Sequence, residues 1–177
     1  MLQLVRLSLL ALAAAGAVAP AAAADDPCAG FSWNVAHERA LFAGAARALA
    51  SGRDAASAPS LEVERLYELT LAQHEEVQLP VADRRAHGAG TGFSGLVRLE
   101  IPAAGSYRVS VGSQMWVDLV SGSMLIGPSD FAGQHGCDAP HKIVQFDLQP
   151  GTFILQMSGA ASDHVRVAVT RAPHDGH

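Results

Sequence analysis

Residues 93–111 read FSGLVRLEIPAAGSYRVSV, and this stretch decides the fold class. Apolar and polar residues alternate on both sides of a Pro-Ala-Ala-Gly turn, which predicts two strands at 93–101 and 106–111. The pattern continues toward the C-terminus, where Gly or Pro turns separate most of the runs. It predicts five more strands, at residues 115–120, 124–126, 142–148, 152–157 and 165–170.

Two further strands are predicted upstream of this run. Their apolar positions are Leu66, Tyr67, Leu69 and Leu71 in the first, and Val77 and Leu79 in the second. Short strands at close, even spacing are typical of an antiparallel β-sandwich rather than of βαβ units. We therefore expect a mainly β protein, with a jelly-roll-like antiparallel β-sandwich of about nine strands.

One N-terminal α-helix is expected before the sandwich. Asn34 is a suitable N-cap, and apolar residues follow it at helical spacing until Ser51 and Gly52 stop the pattern. The predicted apolar face consists of Val35, Leu41, Phe42, Ala45 and Leu49. This predicts a helix of about four or five turns, with His37, Glu38 and Arg39 near its start on a solvated face. Residues 53–60 have the composition of a linker.

The N-terminus has the pattern of a secretory signal peptide. Arg6 precedes an apolar run at 7–18, and the small residues 21–24 follow Pro20. The apolar run is too short to span a bilayer. We expect cleavage near Ala24, a periplasmic or secreted protein, and no stable membrane insertion afterwards. The expected organisation is a signal peptide at 1–24, a helix and linker at 25–60, the sandwich at 61–171 and a flexible tail at 172–177.

The chain has two cysteines, Cys28 and Cys137. In an oxidising compartment such an isolated pair is expected to form a disulfide. The bond closes a loop of about 110 residues, for which the chain-entropy model gives about 4–5 kcal/mol of stabilisation. The alternative is a free Cys137 that acts as a metal ligand or a nucleophile beside His135.

Composition excludes several classes of function. The 177 residues carry a net charge of −5, and the twelve basic residues are scattered, so we expect no nucleic-acid partner. The sequence contains no G-x-S-x-G elbow, phosphate loop, dinucleotide fingerprint or C-x-x-C-H haem site. We therefore expect no catalytic residues and lean toward a protein that is not an enzyme.

Residues 134–142, QHGCDAPHK, are the densest group of chemically active side chains. His135 and His141 are candidate ligands for copper or zinc, with Cys137 as a third ligand if its thiol is free and with His37 as another possibility. If Cys137 forms the disulfide, the two histidines are loop residues that pack over the bridge or meet a carboxylate. The simpler expectation is therefore that the protein has no cofactor.

The two tryptophans are candidates for stacking on a ligand. Sandwich domains use exposed Trp rings to bind sugars, and Trp33 and Trp116 are the available residues. Trp116 lies between Met115 and Val117, so the pattern does not assign its sheet face. Core packing is the alternative for both rings.

The chain resembles two groups of proteins. Residues 102–109 (PAAGSYRV), 115–119, 148–153 (LQPGTF) and 165–169 resemble the corner-and-strand succession of the bacterial pre-peptidase C-terminal type β-sandwich. The whole mature chain, from Cys28 through Trp33 and His37-Glu38-Arg39 to His135-Gly136-Cys137 and His141-Lys142, is similar to a group of small exported proteobacterial proteins without an established activity. Some members of that group carry a homogentisate 1,2-dioxygenase label. The residues here do not support this label, because a non-haem iron oxygenase requires two His and one carboxylate that converge on the metal.

These observations favour an exported binding or accessory module without a catalytic centre. Its expected partner is a protein, a glycan or another component of the envelope. A metal-binding or metal-dependent protein that uses His135 and His141 is the alternative of a different class. The sequence does not indicate the oligomeric state.

Overall fold

The computed structural model describes residues 26–82 and 91–173, so the predicted signal peptide at 1–24 and the last four residues lie outside it. Within these ranges the chain forms twelve strands, the α-helix α1 (Ala36–Phe42) and two 3-10 turns, Pro27–Gly30 and His74–Glu76. The strands are β1 (Arg47–Ala50), β2 (Ser60–Leu61), β3 (Arg65–Thr70), β4 (Ala72–Gln73), β5 (Phe93–Ile101), β6 (Gly105–Val111), β7 (Trp116–Ser121), β8 (Met124–Ile126), β9 (Asp130–Gly133), β10 (Lys142–Leu148), β11 (Gly151–Ala160) and β12 (His164–Arg171). None of the described helices is long and apolar enough to cross a membrane.

The strands form two sheets. Sheet A has the order β1-β3-β12-β6-β10-β9, and sheet B has the order β2-β5-β11-β7-β8 with β4 paired to β5. The predicted mainly β sandwich with one N-terminal helix is confirmed. The sheets are mixed rather than wholly antiparallel, because β1 pairs with β3 and β2 pairs with β5 in the parallel direction.

The main core lies between the two sheets. Alternate residues of the long strands point into it, as the period of two predicts. Val97 and Leu99 of β5 and Leu155 of β11 contribute from sheet B, whereas Val109 of β6 and Phe146 of β10 contribute from sheet A. All five side chains are almost completely buried.

Two similar corners carry the chain between the sheets. After β5 of sheet B, residues 102–104 lead into β6 of sheet A; after β10 of sheet A, residues 149–150 lead into β11 of sheet B. The corners are neighbours, because Gly105 pairs with Leu148 and Gly151 pairs with Ile101. The Tyr107 hydroxyl donates to the Ala103 carbonyl at 2.9 Å, which ties the first corner to its own strand.

The predicted strands at 93–101, 124–126 and 142–148 have the bounds that the structure shows. The prediction missed β1, β2, β4 and β9. It was wrong about a strand at Val77 and Leu79, where the chain forms a loop. Val77 is buried there against Ala58 and Leu96, on the outer face of sheet B.

The prediction of a helix of four or five turns was also wrong. The Asn34 side chain does accept the Ala36 backbone N–H at 3.1 Å, but α1 ends at Phe42. Residues 47–50 instead form β1, and Leu49 packs against the main core. The segment between these apolar positions is rich in alanine, which fits a helix without requiring one. Pairing with β3 satisfies the backbone of this segment and packs the partly buried Leu49 against the core, so tertiary contacts decide its structure.

Candidate functional site

A cleft of about 490 Å³ opens at one end of the sandwich, between the start of β7 and the hairpin formed by β9 and β10. Its volume lies in the range of small-ligand sites. The cleft brings together residues from both sheets that are far apart in the sequence. They are Gln114, Met115, Trp116, Phe131, Ala132, Gly133, Gln134, His135, His141, Lys142, Gly159 and Ala161.

Trp116 forms the sheet B wall of the cleft. Its side chain is 42% exposed, whereas Met115 beside it is buried. Lys142 reaches across from sheet A, so that its Nζ lies 5.3 Å from the centre of the Trp116 ring and donates to the Met115 carbonyl at 3.3 Å. This contact joins the two sheets at the cleft and fixes a positive charge beside an aromatic surface.

Gly159 shapes the same wall. The register of β11 against β5 shifts between Met157 and Ala160, and Gly159 has a φ of 73° in this irregular segment. That left-handed conformation favours glycine. A Cβ atom at Gly159 would lie 3.5 Å from Cδ1 of Trp116, so the irregular end of β11 lies directly against the indole ring. Bulges of this kind commonly redirect side chains beside functional sites.

Phe131 forms the opposite wall, and the sequence pattern gave no indication of it. Phe131 pairs with Val144, which belongs to the main core, so both side chains lie on the same face of sheet A. The Phe131 ring is nevertheless 70% exposed. Because β9 is the edge strand of sheet A, the Phe131 side chain extends past the packed core and into the cleft.

The disulfide fixes the loop between β9 and β10. Cys28 and Cys137 are bonded, with their Cα atoms 4.9 Å apart, as the sequence predicts. The loop is closed at its base by the Gln134 N–H, which donates to the His141 carbonyl at 3.0 Å. Gly30 packs so closely on the Gln134 side chain that a Cβ there would lie 2.5 Å from Oε1. The N-terminal segment therefore braces one rim of the cleft.

His135 and His141 both line the cleft, and their ring centres are 6.3 Å apart. Nδ1 of His141 lies 3.1 Å from the Cys137 carbonyl oxygen. Since a carbonyl only accepts, Nδ1 carries the proton and Nε2 is the second nitrogen available for chemistry. Cys137 is not a thiolate ligand, because it is bonded to Cys28. In the described part of the chain no third His, Cys, Asp or Glu joins the two histidines in a metal-binding group. His37 is not among the cleft residues and lies 2.5 Å from Glu64.

Trp33 lies outside the cleft, on the outer face of sheet A. It is 8% exposed and packs with Val35, Ala132 and Ile143. The Arg108 guanidinium lies 4.7 Å from the centre of its ring. Trp33 therefore has no open surface on which a ligand would stack, and of the two tryptophans only Trp116 belongs to the candidate site.

Arg108 also holds the buried carboxylate of Glu38. The sequence pattern placed Glu38 on a solvated helix face, which is wrong, because this side chain is only 1% exposed. Its Oε1 accepts from Arg108 Nη1 at 3.3 Å and from the Thr170 hydroxyl at 3.2 Å. Helical periodicity cannot show that α1 lies flat on sheet A, so this ion pair could not be found from the sequence.

His74 and Ser94 have the residue types of a catalytic dyad. His74 Nδ1 and Ser94 Oγ lie 2.8 Å apart on β5 and the adjoining 3-10 turn. Ser94 is fully buried, however, so a substrate has no access to its hydroxyl. The contact links the turn to sheet B and provides no open nucleophile.

The fold and the site together define a disulfide-braced β-sandwich with a small cleft at one end. The chain matches no family model and no curated protein. Solved structures that it matches include the pre-peptidase C-terminal domain of collagenase from Bacillus anthracis, at 14% identity and a TM-score of 0.36 over 71% of this chain and 94% of that one. Another is a β-glucosidase from Paenibacillus barengoltzii, at 12% identity and a TM-score of 0.29 over 70% of this chain and 13% of that one. Both scores lie below 0.5, and the fold assignment rests on the strand pairings of this chain.

Proposed function

We propose that this protein is an exported, non-catalytic module that binds a glycan of the cell envelope in the cleft. The observation that carries the proposal is the pair of exposed aromatic rings, Trp116 and Phe131, in one cleft of about 490 Å³. Aromatic faces pack on the C–H faces of sugars, and amide groups hydrogen-bond the hydroxyls. Gln114 and Gln134 supply such amides at the cleft.

Two further observations support an exported location. The first 24 residues have the pattern of a secretory signal peptide, and the disulfide suits an oxidising compartment.

A rigid loop also suits a binding site, since side chains that are already fixed lose little conformational freedom when the ligand binds. The disulfide and the contact of Gly30 with Gln134 supply that rigidity.

The test is a titration of the mature protein with soluble fragments of envelope glycans, in which tryptophan fluorescence is the measured signal. In the Trp33→Phe background the remaining indole is Trp116, so the signal reports on the cleft alone. We expect saturable quenching or enhancement, and a loss of at least about tenfold in affinity for Phe131→Ala, which removes one stacking face. Leu125→Ala is the matched control, because Leu125 is also exposed at 44% but does not line the cleft.

Unchanged fluorescence across envelope glycan fragments, or equal losses for Phe131→Ala and Leu125→Ala, would contradict the proposal. The first outcome would mean that glycans do not reach Trp116. The second would mean that binding uses exposed apolar surface in general rather than this cleft.

Binding of copper or zinc is the second candidate, and the orientation of His141 favours it. A metal-binding His commonly donates its other ring N–H to a carbonyl, as Nδ1 of His141 does with Cys137. Against it stands Lys142, whose positive charge in the same cleft opposes a bound cation. Elemental analysis of untagged protein decides between them: about one equivalent of metal, lost on His141→Ala, would favour the metal protein.

A further inference from the structure

The described walls of the cleft have a charge opposite to that of the chain as a whole. The chain carries a net charge of −5. Within the described residues, the ionisable side chains that line the cleft are Lys142, His135 and His141, and no Asp or Glu is among them. Lys142 is moreover the only lysine in the sequence. Among the described residues, the walls of the cleft thus combine two exposed aromatic rings with a fixed cation, and they include no Asp or Glu.

We infer that the ligand is an acidic saccharide, a glycan whose sugars carry a carboxylate, as uronic acids do. This inference rests on the glycan-binding function proposed above and names the class of glycan. The Lys142 ammonium lies 5.3 Å from the centre of the Trp116 ring, so a sugar on that wall has its substituents close to a positive charge. A carboxylate in this position forms a charge-assisted hydrogen bond, which is stronger than one between neutral groups.

The residue types favour a carboxylate over a phosphate. A phosphate group carries about −1.5 to −2 charges at neutral pH, and phosphate sites commonly meet it with several cationic side chains or with a cradle of backbone N–H groups at a helix end. No Arg is among the described cleft residues, and α1 does not reach the cleft. A single ammonium and two imidazoles match one carboxylate beside several hydroxyls. Since Nδ1 of His141 donates to Cys137, its Nε2 is suited to accept from a sugar hydroxyl.

The experiment compares two matched trisaccharides by calorimetry. One is tri-galacturonate, and the other is the neutral trisaccharide obtained by reducing each C6 carboxylate to a hydroxymethyl group. We expect the acidic trisaccharide to bind at least about tenfold more tightly, since a hydrogen bond to a charged group is worth about 1.5–3 kcal/mol. Lys142→Gln should abolish this preference, so that the variant binds the two trisaccharides with the same affinity. Arg47→Gln is the control, because Arg47 is an exposed cation on β1, the opposite edge of sheet A.

A second measurement does not depend on a substitution. Amine-reactive reagents modify only Lys142 and the N-terminal amine, because the chain has one lysine. Tri-galacturonate should protect Lys142 from labelling, as read by mass spectrometry, and the neutral trisaccharide at the same concentration should not. The label on the N-terminal amine provides the internal reference.

The outcomes separate this inference from the function on which it rests. Equal affinity for the two trisaccharides, with no effect of Lys142→Gln, would overturn the acidic class but leave a glycan-binding module. Absence of binding by either trisaccharide and by all neutral glycan fragments would overturn both. Tighter binding of benzoate than of tri-galacturonate, with the same dependence on Lys142, would overturn the saccharide and point to a simple aromatic acid.

Discussion

The two tryptophans of this protein have similar partners and different surroundings. Each ring has a cation beside it, Arg108 at 4.7 Å from Trp33 and Lys142 at 5.3 Å from Trp116. Trp33 is 8% exposed where the N-terminal segment packs on sheet A, and Trp116 is 42% exposed at the cleft. The difference teaches that a cation beside an aromatic ring does not identify a binding site. The accessibility of the ring is what distinguishes the two sites.

The Trp33 region is closed by several independent interactions. Arg108 donates to Gln145, to the Asn34 carbonyl and to Glu38, in addition to its contact with the ring. The disulfide then ties this segment to the loop after β9. At the other tryptophan, Lys142 lies beside the Trp116 ring and donates to the Met115 carbonyl at the rim of the open cleft. We therefore expect substitutions in the first region to reduce stability and those in the second to reduce ligand affinity.

The largest effect is expected from removing the disulfide. The bond joins residues 109 positions apart, and the loop-entropy model gives about 4–5 kcal/mol for a loop of that size. The double variant Cys28→Ser, Cys137→Ser should lose that amount of unfolding free energy in urea titrations. Reduction of the wild-type protein should have the same effect, and dithiothreitol should not affect the variant. A loss below about 1 kcal/mol would mean that the bond does not brace the N-terminal segment.

The second effect compares the tryptophans directly. Trp33→Ala removes a buried indole and should cost about 4 kcal/mol of unfolding free energy, within the range for large-to-small core changes. Trp116→Ala should cost less than about 1 kcal/mol, because much of its ring is already in water. Chemical denaturation of both variants measures the difference. Equal costs would show that Trp116 also serves the core, and would remove the main support for a binding role.

The third effect compares the two cations. Arg108→Met leaves the Glu38 carboxylate buried without its partner, and breaking such a pair costs about 3 kcal/mol. Adding Glu38→Gln should recover part of the lost unfolding free energy, because the double variant no longer has an unpaired buried charge. Lys142→Met removes the other cation and should cost about 1 kcal/mol or less. If Glu38→Gln restores nothing in the Arg108→Met background, the role of Arg108 is its packing on Trp33 rather than its charge.

The sequence predicted the sandwich well because the apolar residues that fill the core between the sheets recur at alternate positions of the long strands. The bounds of β5 and β10 follow from this pattern. The bounds of β8 were also correct, although none of its three residues is buried. The pairing of Cys28 with Cys137 follows from the cysteine count once export is assumed. The same rule fails for short edge strands. The four residues of β9 are too few for a period of two to be recognised, and Phe131 was missed with them.

The cleft could be predicted only in part. Trp116, His135 and His141 were candidates from their residue types, but the sequence suggested two separate sites, one aromatic and one metal-binding. That they share one cleft depends on how the start of β7 meets the hairpin of β9 and β10 across the two sheets. Lys142 was overlooked because a lone lysine at a strand start is ordinarily a solvated residue.

The smallest effect is expected at Asp26, where the braced segment begins. The Cys28 N–H donates to its carboxylate at 2.9 Å and Arg39 contacts it at 2.7 Å, and these contacts lower the pKa of Asp26 below its ordinary value of 3.8. A carboxylate with a lowered pKa contributes stability above the unfolded value, and the contribution disappears as the pH falls through the folded value. Asp26→Asn should therefore be less stable than the wild type at neutral pH, by less than any substitution above, and equally stable well below pH 3.8.

Asp54→Asn is the matched control for this last prediction. The pKa of Asp54 is also lowered, chiefly by the Ser57 N–H, but Asp54 lies in a turn that does not contact the disulfide. Both variants should show the same pH trend in the wild-type background. When the disulfide is removed, the effect of Asp26→Asn should shrink, since its contact with Cys28 needs the segment held in place, and the effect of Asp54→Asn should not change. Equal effects of Asp26→Asn in both backgrounds would contradict this coupling. They would show that the Asp26 contacts and the disulfide stabilise the N-terminal segment independently of each other.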